Sequence, residues 1–142
     1  MKKLRTWLKR RGYRLVFGKK ENDVCFNDKM VRVQKSLTLE SKTATLLHEC
    51  GHVLVNLSRR KSKKTVVAGA SWKEWNRLST SRSKHAELLT LQEEMVAWDR
   101  GYSLAARLNI RLSQTFKRNV RTKSLMTYVR YSGKSVRRNG RS

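Results

Sequence analysis

The chain has 142 residues, of which 34 are Lys or Arg and 10 are Asp or Glu, a formal net charge of +24. This length suits one domain with one modest core, and 38% hydrophobic against 31% charged residues leaves long basic surfaces around it. Composition and pattern exclude several classes: no apolar run approaches the roughly 18 residues of a membrane span, and two cysteines, Cys25 and Cys50, are too few for a disulfide framework.

The basic start, Met1 to Arg11, is followed by no apolar signal-peptide core, and Lys2 stands where myristoylation requires glycine. The expectation is a soluble, cytoplasmic protein in a reducing compartment. Thr6 to Arg11 belongs to a short basic helix with Leu4, Trp7 and Leu8 at i, i+3 and i+4, stopped by Gly12. Three strand-like runs follow, Tyr13–Phe17, Asp23–Phe26 and Met30–Gln34, separated by Gly18-to-Asn22 and Asn27-Asp28-Lys29 turns. Two hairpins joining them into an antiparallel meander are the simplest arrangement.

A long helix is predicted from about Leu39 to Leu57, with Leu47, Cys50, Leu54 and Leu57 forming one apolar stripe. Residues 58–83 break that pattern with the basic run 59–64, Trp72 and Trp75, and a serine-rich end. They read as a mobile basic insertion with a short helix around Trp72–Leu78. A second long helix is predicted from Ser83 or Lys84 to about Asp99, with Leu88, Leu91, Met95 and Trp98 as its stripe and Gly101 bending or ending it. A basic amphipathic helix, Ser113 to about Tyr131, completes a single domain over residues 1–131, and Ser132–Ser142 reads as a disordered basic tail.

His48-Glu49-Cys50-Gly51-His52 is an HExxH motif inside the first long helix. Histidines four apart on a helix differ by about 40°, so both imidazoles reach one cation on the same face. Glu49 can take a proton from a water at the cation's open position and later deliver it to a leaving amine. Zn²⁺ suits two imidazoles plus an oxygen ligand. With 3 His and 7 Glu in the chain, a chance HExxH is expected about 0.003 times, so coincidence is a poor account of it. Cys50 lies across the helix from the histidines and reads as a buried thiol.

A third ligand must come from few residues. After His52 the chain offers Glu74, His85, Glu87, Glu93, Glu94 and Asp99. Glu94 shares a helical face with Leu91 and Trp98, whereas Glu93 is turned about 100° toward Leu89 and Ala97. A carboxylate aimed at a core is costly unless paired or metal-bound, which favours Glu94, with Glu93 second. His85 is a rival on the same helix, about 13 Å from Glu94 along the axis and nearly opposite in phase, so the two cannot share one ion. Tyr102, Tyr128 and several arginines are candidate donors to a tetrahedral oxyanion, and nothing in the sequence chooses among them.

The run Thr45–Val55 (TLLHECGHVLV) followed by Glu93–Trp98 (EEMVAW) resembles the short gluzincin-type zinc metallopeptidases of phages and bacteria, the ImmA/IrrE-like group among them. The resemblance covers about residues 40–108, with Phe116–Tyr128 a weaker extension. It implies a zincin-like α+β fold, Glu49 as general base, Glu94 completing the zinc site with His48 and His52, and a protein substrate cleaved at peptide bonds. Trp98 occupies a position where the family often has Asp or Asn, which leaves Asp99 as the carboxylate to orient a ligand histidine.

Charge adds a second expectation. The first 20 residues carry nine Lys or Arg, residues 100–142 carry twelve, and neither segment has an acid. Such a field attracts polyanions, so non-specific nucleic acid contact is expected, with Trp7, Trp72 and Trp75 as candidate stacking residues. The alternative function is therefore a basic nucleic-acid-binding protein whose zinc site is structural or inactive.

Overall fold

The computed structural model describes residues 1–78 and 80–139, with side chains described outside 130–139. Among these residues the fold is α+β, with five helices and a small three-stranded mixed sheet. In chain order the elements are α1 (Lys2–Lys9), β1 (Arg14–Gly18), β2 (Asp23–Cys25), β3 (Met30–Gln34), α2 (Leu39–Lys61), α3 (Trp72–Leu78), α4 (Lys84–Arg107) and α5 (Gln114–Asn139). None of the helices is long and apolar enough to cross a membrane.

The sheet order is β1-β3-β2. β2 and β3 form the expected antiparallel hairpin, but β1 pairs with β3 in parallel, Leu15 opposite Val31 and Phe17 opposite Val33. The sheet is therefore mixed, and the expectation of an antiparallel meander is corrected at its first connection. The cause is burial: Val31 and Val33 are fully buried, so the most buried strand takes the centre and β1 must cross to its far edge. An Asp23–Arg32 ion pair joins the directly opposed residues of the β2–β3 ladder.

α2 starts where the Thr38 hydroxyl accepts from Ser41 N at 3.2 Å, and α4 where Ser83 does the same for Ala86 N at 3.1 Å. Each cap satisfies an otherwise orphaned amide. One face of α2 meets α1 and the sheet through Leu46, Leu47, Cys50 and Val53, with Leu4, Trp7, Leu8 and Leu104 completing the core. Trp7 is thus a core residue. Each fully buried aliphatic side chain here contributes about 1.5–3 kcal/mol.

α4 runs through Gly101 without a break, which corrects the expected end near Asp99. Its buried face also differs from the expected stripe. Leu88 and Met95 are exposed, while Leu89, Glu93, Glu94, Ala97, Trp98, Gly101 and Leu104 are buried. The reason is close helix packing. A Cβ on Gly51 would lie 1.8 Å from the Ala97 carbonyl oxygen, and one on Gly101 would lie 2.3 Å from that of Leu47. Gly101 thus admits the backbone of α2 and does not stop α4. Arg100 adds a polar tie, donating to Leu54 O at 3.0 Å and Ser58 Oγ at 2.6 Å.

α3 occupies Trp72–Leu78, as the sequence suggests. The segment before it, read from the sequence as part of a mobile insertion, is bonded to the body at Val67 and Ala70, both buried. α5 reaches Asn139 and so takes in part of the stretch whose composition predicts a disordered tail; residues 140–142 of that stretch lie outside the described residues.

Gly51→Ala and Gly101→Ala are each expected to destabilise the protein by about 3 kcal/mol or more, since the added methyl meets backbone and not a movable side chain. Thermal unfolding checks this, and wild-type midpoints for both variants would refute the packing described.

Candidate metal centre

The HExxH residues occupy the middle of α2, where the backbone has its closest approach to α4. His48 and His52 project from one face, toward Glu93 and Glu94 of α4. His48, Glu49 and His52 present potential ligand atoms within 4.8 Å of one another, a group that could hold a metal ion. Glu94 meets both imidazoles. Its Oε2 lies 2.8 Å from His48 Nε2, and its Oε1 lies 3.2 Å from His52 Nε2.

These distances fit a cation position between the three side chains. Two ligands about 2.0–2.1 Å from a tetrahedral ion lie about 3.3 Å apart, so a small outward shift suffices. The hydrogen-bond pattern agrees: His48 Nε2 and Glu94 Oε2 are both buried and neither has a hydrogen-bond partner, although they face each other. At 2.8 Å they are close enough to share a proton or a cation, and buried polar atoms without partners are costly. A cation between them would satisfy both, so the donor set fits a metal.

Burial opposes charge on His52, but Glu93 and Glu94 outweigh it and push this imidazole up to about 10. His48 is likewise raised against burial, by Glu49 and Glu94. Burial pushes Glu94 upward, and the two histidines overcome this and bring it down to about 2. The Glu94 charge thus favours the protonated form of both imidazoles, and they in turn favour its ionised form. Burial raises the Cys50 thiol well above its ordinary range, so Cys50 is a neutral core residue.

The histidine rings are fixed from the side. His48 stacks on Trp98 at 4.2 Å with planes 7° apart, and meets the His52 ring edge-on at 4.6 Å. Glu93 does not join Glu94 between the imidazoles. Its Oε2 pairs with Arg59, and its Oε1 lies 3.5 Å from His52 Nδ1. Arg59 is 1% exposed. It donates to Val67 O at 2.7 Å and Ala70 O at 3.3 Å, and its guanidinium carbon lies 4.4 Å from the centre of the Trp75 ring.

Beside the histidines opens a cleft of about 440 Å³. His48, Glu49 and Trp98 form one wall, and Val120, Lys123, Ser124, Thr127 and Tyr128 of α5 form the other. Burial raises the Tyr128 phenol, and the charge and hydrogen bond of Glu94 raise it further. Tyr102 is elsewhere engaged, donating its hydroxyl to Lys117 O at 2.8 Å. Asp99 pairs with Arg121 at 2.9 Å on the surface and orients no histidine of the motif; Glu49 lies 3.5 Å from His48 Nδ1 and Glu93 the same distance from His52 Nδ1. His85 is exposed at the start of α4. Trp72 and Trp75 have Arg60 and Arg59 over their faces.

Arg59 and the Trp98 stack were not anticipated from sequence. Arg59 follows His52 by seven residues, within about 20° of it in helical phase, and that spacing is the signal that singles it out from its basic neighbours. No protein-family model, no curated protein and no solved structure matches the chain.

Two outcomes are expected of this geometry. Metal uptake must displace protons from imidazoles whose proton affinity is raised, so binding should release protons and tighten as pH rises through the neutral range. Calorimetry in buffers of different ionisation enthalpy measures this, and a buffer-independent heat would contradict it. Removing a ligand should abolish stoichiometric metal, so Glu94→Ala should purify without the one bound ion expected of the unaltered protein; retention of that ion would rule Glu94 out.

Proposed function

We propose that this protein is a zincin-like, zinc-dependent metallopeptidase that hydrolyses peptide bonds in another protein. The observation that carries the reading is the meeting of Glu94 with the Nε2 atoms of both HExxH histidines, beside a cleft that Glu49 lines. His48, His52 and Glu94 would hold Zn²⁺, the metal suited to two imidazoles, one carboxylate and an open position. Bound there, zinc supplies Lewis acidity, polarising the scissile carbonyl and acidifying a water.

The chain's own residues supply the rest. Glu49 accepts a proton from the attacking water as its oxygen adds to the carbonyl carbon. It then returns that proton to the amide nitrogen as the C–N bond breaks. Trp98 keeps the His48 ring plane fixed through the cycle. Tyr128, whose phenol keeps its proton at neutral pH, is a hydrogen-bond donor on the opposite wall. An extended polypeptide segment fits a cleft with polar walls, where Asn22, Ser41, Thr45 and Ser124 can bond its backbone.

The alternative, a nucleic-acid-binding protein with a structural metal, has no need of an open cleft beside Glu49. The charge of +24 still favours contact with polyanions, and in this reading it brings the peptidase to nucleic acid or to acidic protein substrates.

Glu49→Gln should keep zinc and lose about 100- to 10,000-fold in turnover, read with a mixed fluorogenic peptide library on zinc-loaded protein. Equal cleavage by variant and wild type would refute the mechanism.

A further inference from the structure

His52 is flanked by adjacent carboxylates of α4, one at each ring nitrogen. Glu94 Oε1 faces Nε2 at 3.2 Å and Glu93 Oε1 faces Nδ1 at 3.5 Å. The other oxygen of Glu93 is taken by Arg59. All three partners lie within the fold, and Arg59 is also bonded to the carbonyls of Val67 and Ala70.

We propose that Glu93 is a positioning residue for the metal centre, anchored by Arg59 so that it receives the Nδ1 proton of His52 and turns Nε2 toward the ion. This assignment rests on the zinc reading above. Neutral imidazole carries its proton on either nitrogen, and which nitrogen binds a metal is set by the hydrogen bond that the other makes. Glu93 is the acceptor in place for Nδ1. An acceptor of this kind must itself be held, and Arg59 does so with its guanidinium locked by two carbonyls and the Trp75 ring.

A role confined to joining α2 and α4 accounts for less. An apolar pair of similar volume would join the helices as well, without the cost of removing two charges from water. It would also leave Nδ1 of His52 without its acceptor.

Carbonyls of the segment between α2 and α3 bind Arg59, so the docking of that segment is linked to the centre through three side chains in series. The exposed cations around it, Arg60, Lys61, Lys63 and Lys64, are free of that link.

The test is Zn²⁺ affinity, by competition with a chelator, for the double variant Arg59→Met/Glu93→Met, which removes both charges and orphans neither. Affinity should fall about 10- to 100-fold, and the visible spectrum of the Co²⁺ form should change as His52 is released from one orientation. A folded double variant with wild-type affinity and spectrum overturns the assignment. If the double variant fails to fold, nitrogen NMR of His52 in the Zn²⁺ complex of the unaltered protein decides. Metal on Nε2 with a proton on Nδ1 is expected, and metal on Nδ1 overturns the assignment. Failure of the unaltered protein to bind Zn²⁺ at all overturns the metal centre itself, and the role of Glu93 with it.

Discussion

The candidate centre depends on how near α2 comes to α4. At Gly51 and Gly101 each helix presents bare backbone to the other, and any side chain at either position would collide with a carbonyl. Short carboxylates on α4 can reach imidazoles on α2 only because the axes are this close. The two glycines also bracket the site: Gly51 lies inside the HExxH motif, and Gly101 is one helical face along from Glu94 and Trp98. Contact of backbone with backbone tolerates little sliding, so it holds the relative register of the four charged or ionisable groups.

That closeness is held against a cost. His48, Glu49, Glu93, Glu94 and Arg59 are all buried, and removing charges from water is expensive unless each is paired with good geometry. Most of them are paired. Arg59 satisfies Glu93 and two carbonyls, and Glu94 answers both histidines. His48 Nε2 and Glu94 Oε2 have no hydrogen-bond partner beyond their contact with each other, and they face each other at the candidate metal position. Two facing buried atoms without other partners are what a candidate cation position offers. A hydrophobic core in the same place would be cheaper to fold and would bind nothing.

Much of this was legible in the chain, and the rest was hidden for identifiable reasons. The strand Met30–Gln34, the helix Trp72–Leu78 and the start of α4 at Ser83 or Lys84 stand where the sequence pattern puts them. β1 was placed beside the wrong neighbour because alternation tells which face a strand buries and not which strand it joins. The face of α4 was misjudged because hydropathy favours Leu88 and Met95, whereas the buried surface is made of Glu93, Glu94, Ala97 and Gly101. Small and acidic residues face inward there because a helix and two imidazoles lie opposite, which no single-helix pattern contains. Arg59 was concealed by the cations that follow it, although its phase with His52 was present in the spacing.

The cleft has two unequal walls. One belongs to α2 and α4, bound to each other through backbone contact and a polar core. The other is α5, none of whose described side chains is fully buried. Its ties to α4 are polar and partly solvated: Trp98 Nε1 to Ser124 Oγ at 3.4 Å, Arg121 to Asp99 at 2.9 Å, and Tyr102 to Lys117 O at 2.8 Å. Amides of α5 should therefore exchange with solvent long before those around Gly51. The molecule is built like a vice with one fixed jaw. The candidate ligands stand on the fixed jaw, and Tyr128 of the other reaches across to Glu94, so a movement of α5 would be felt at that carboxylate.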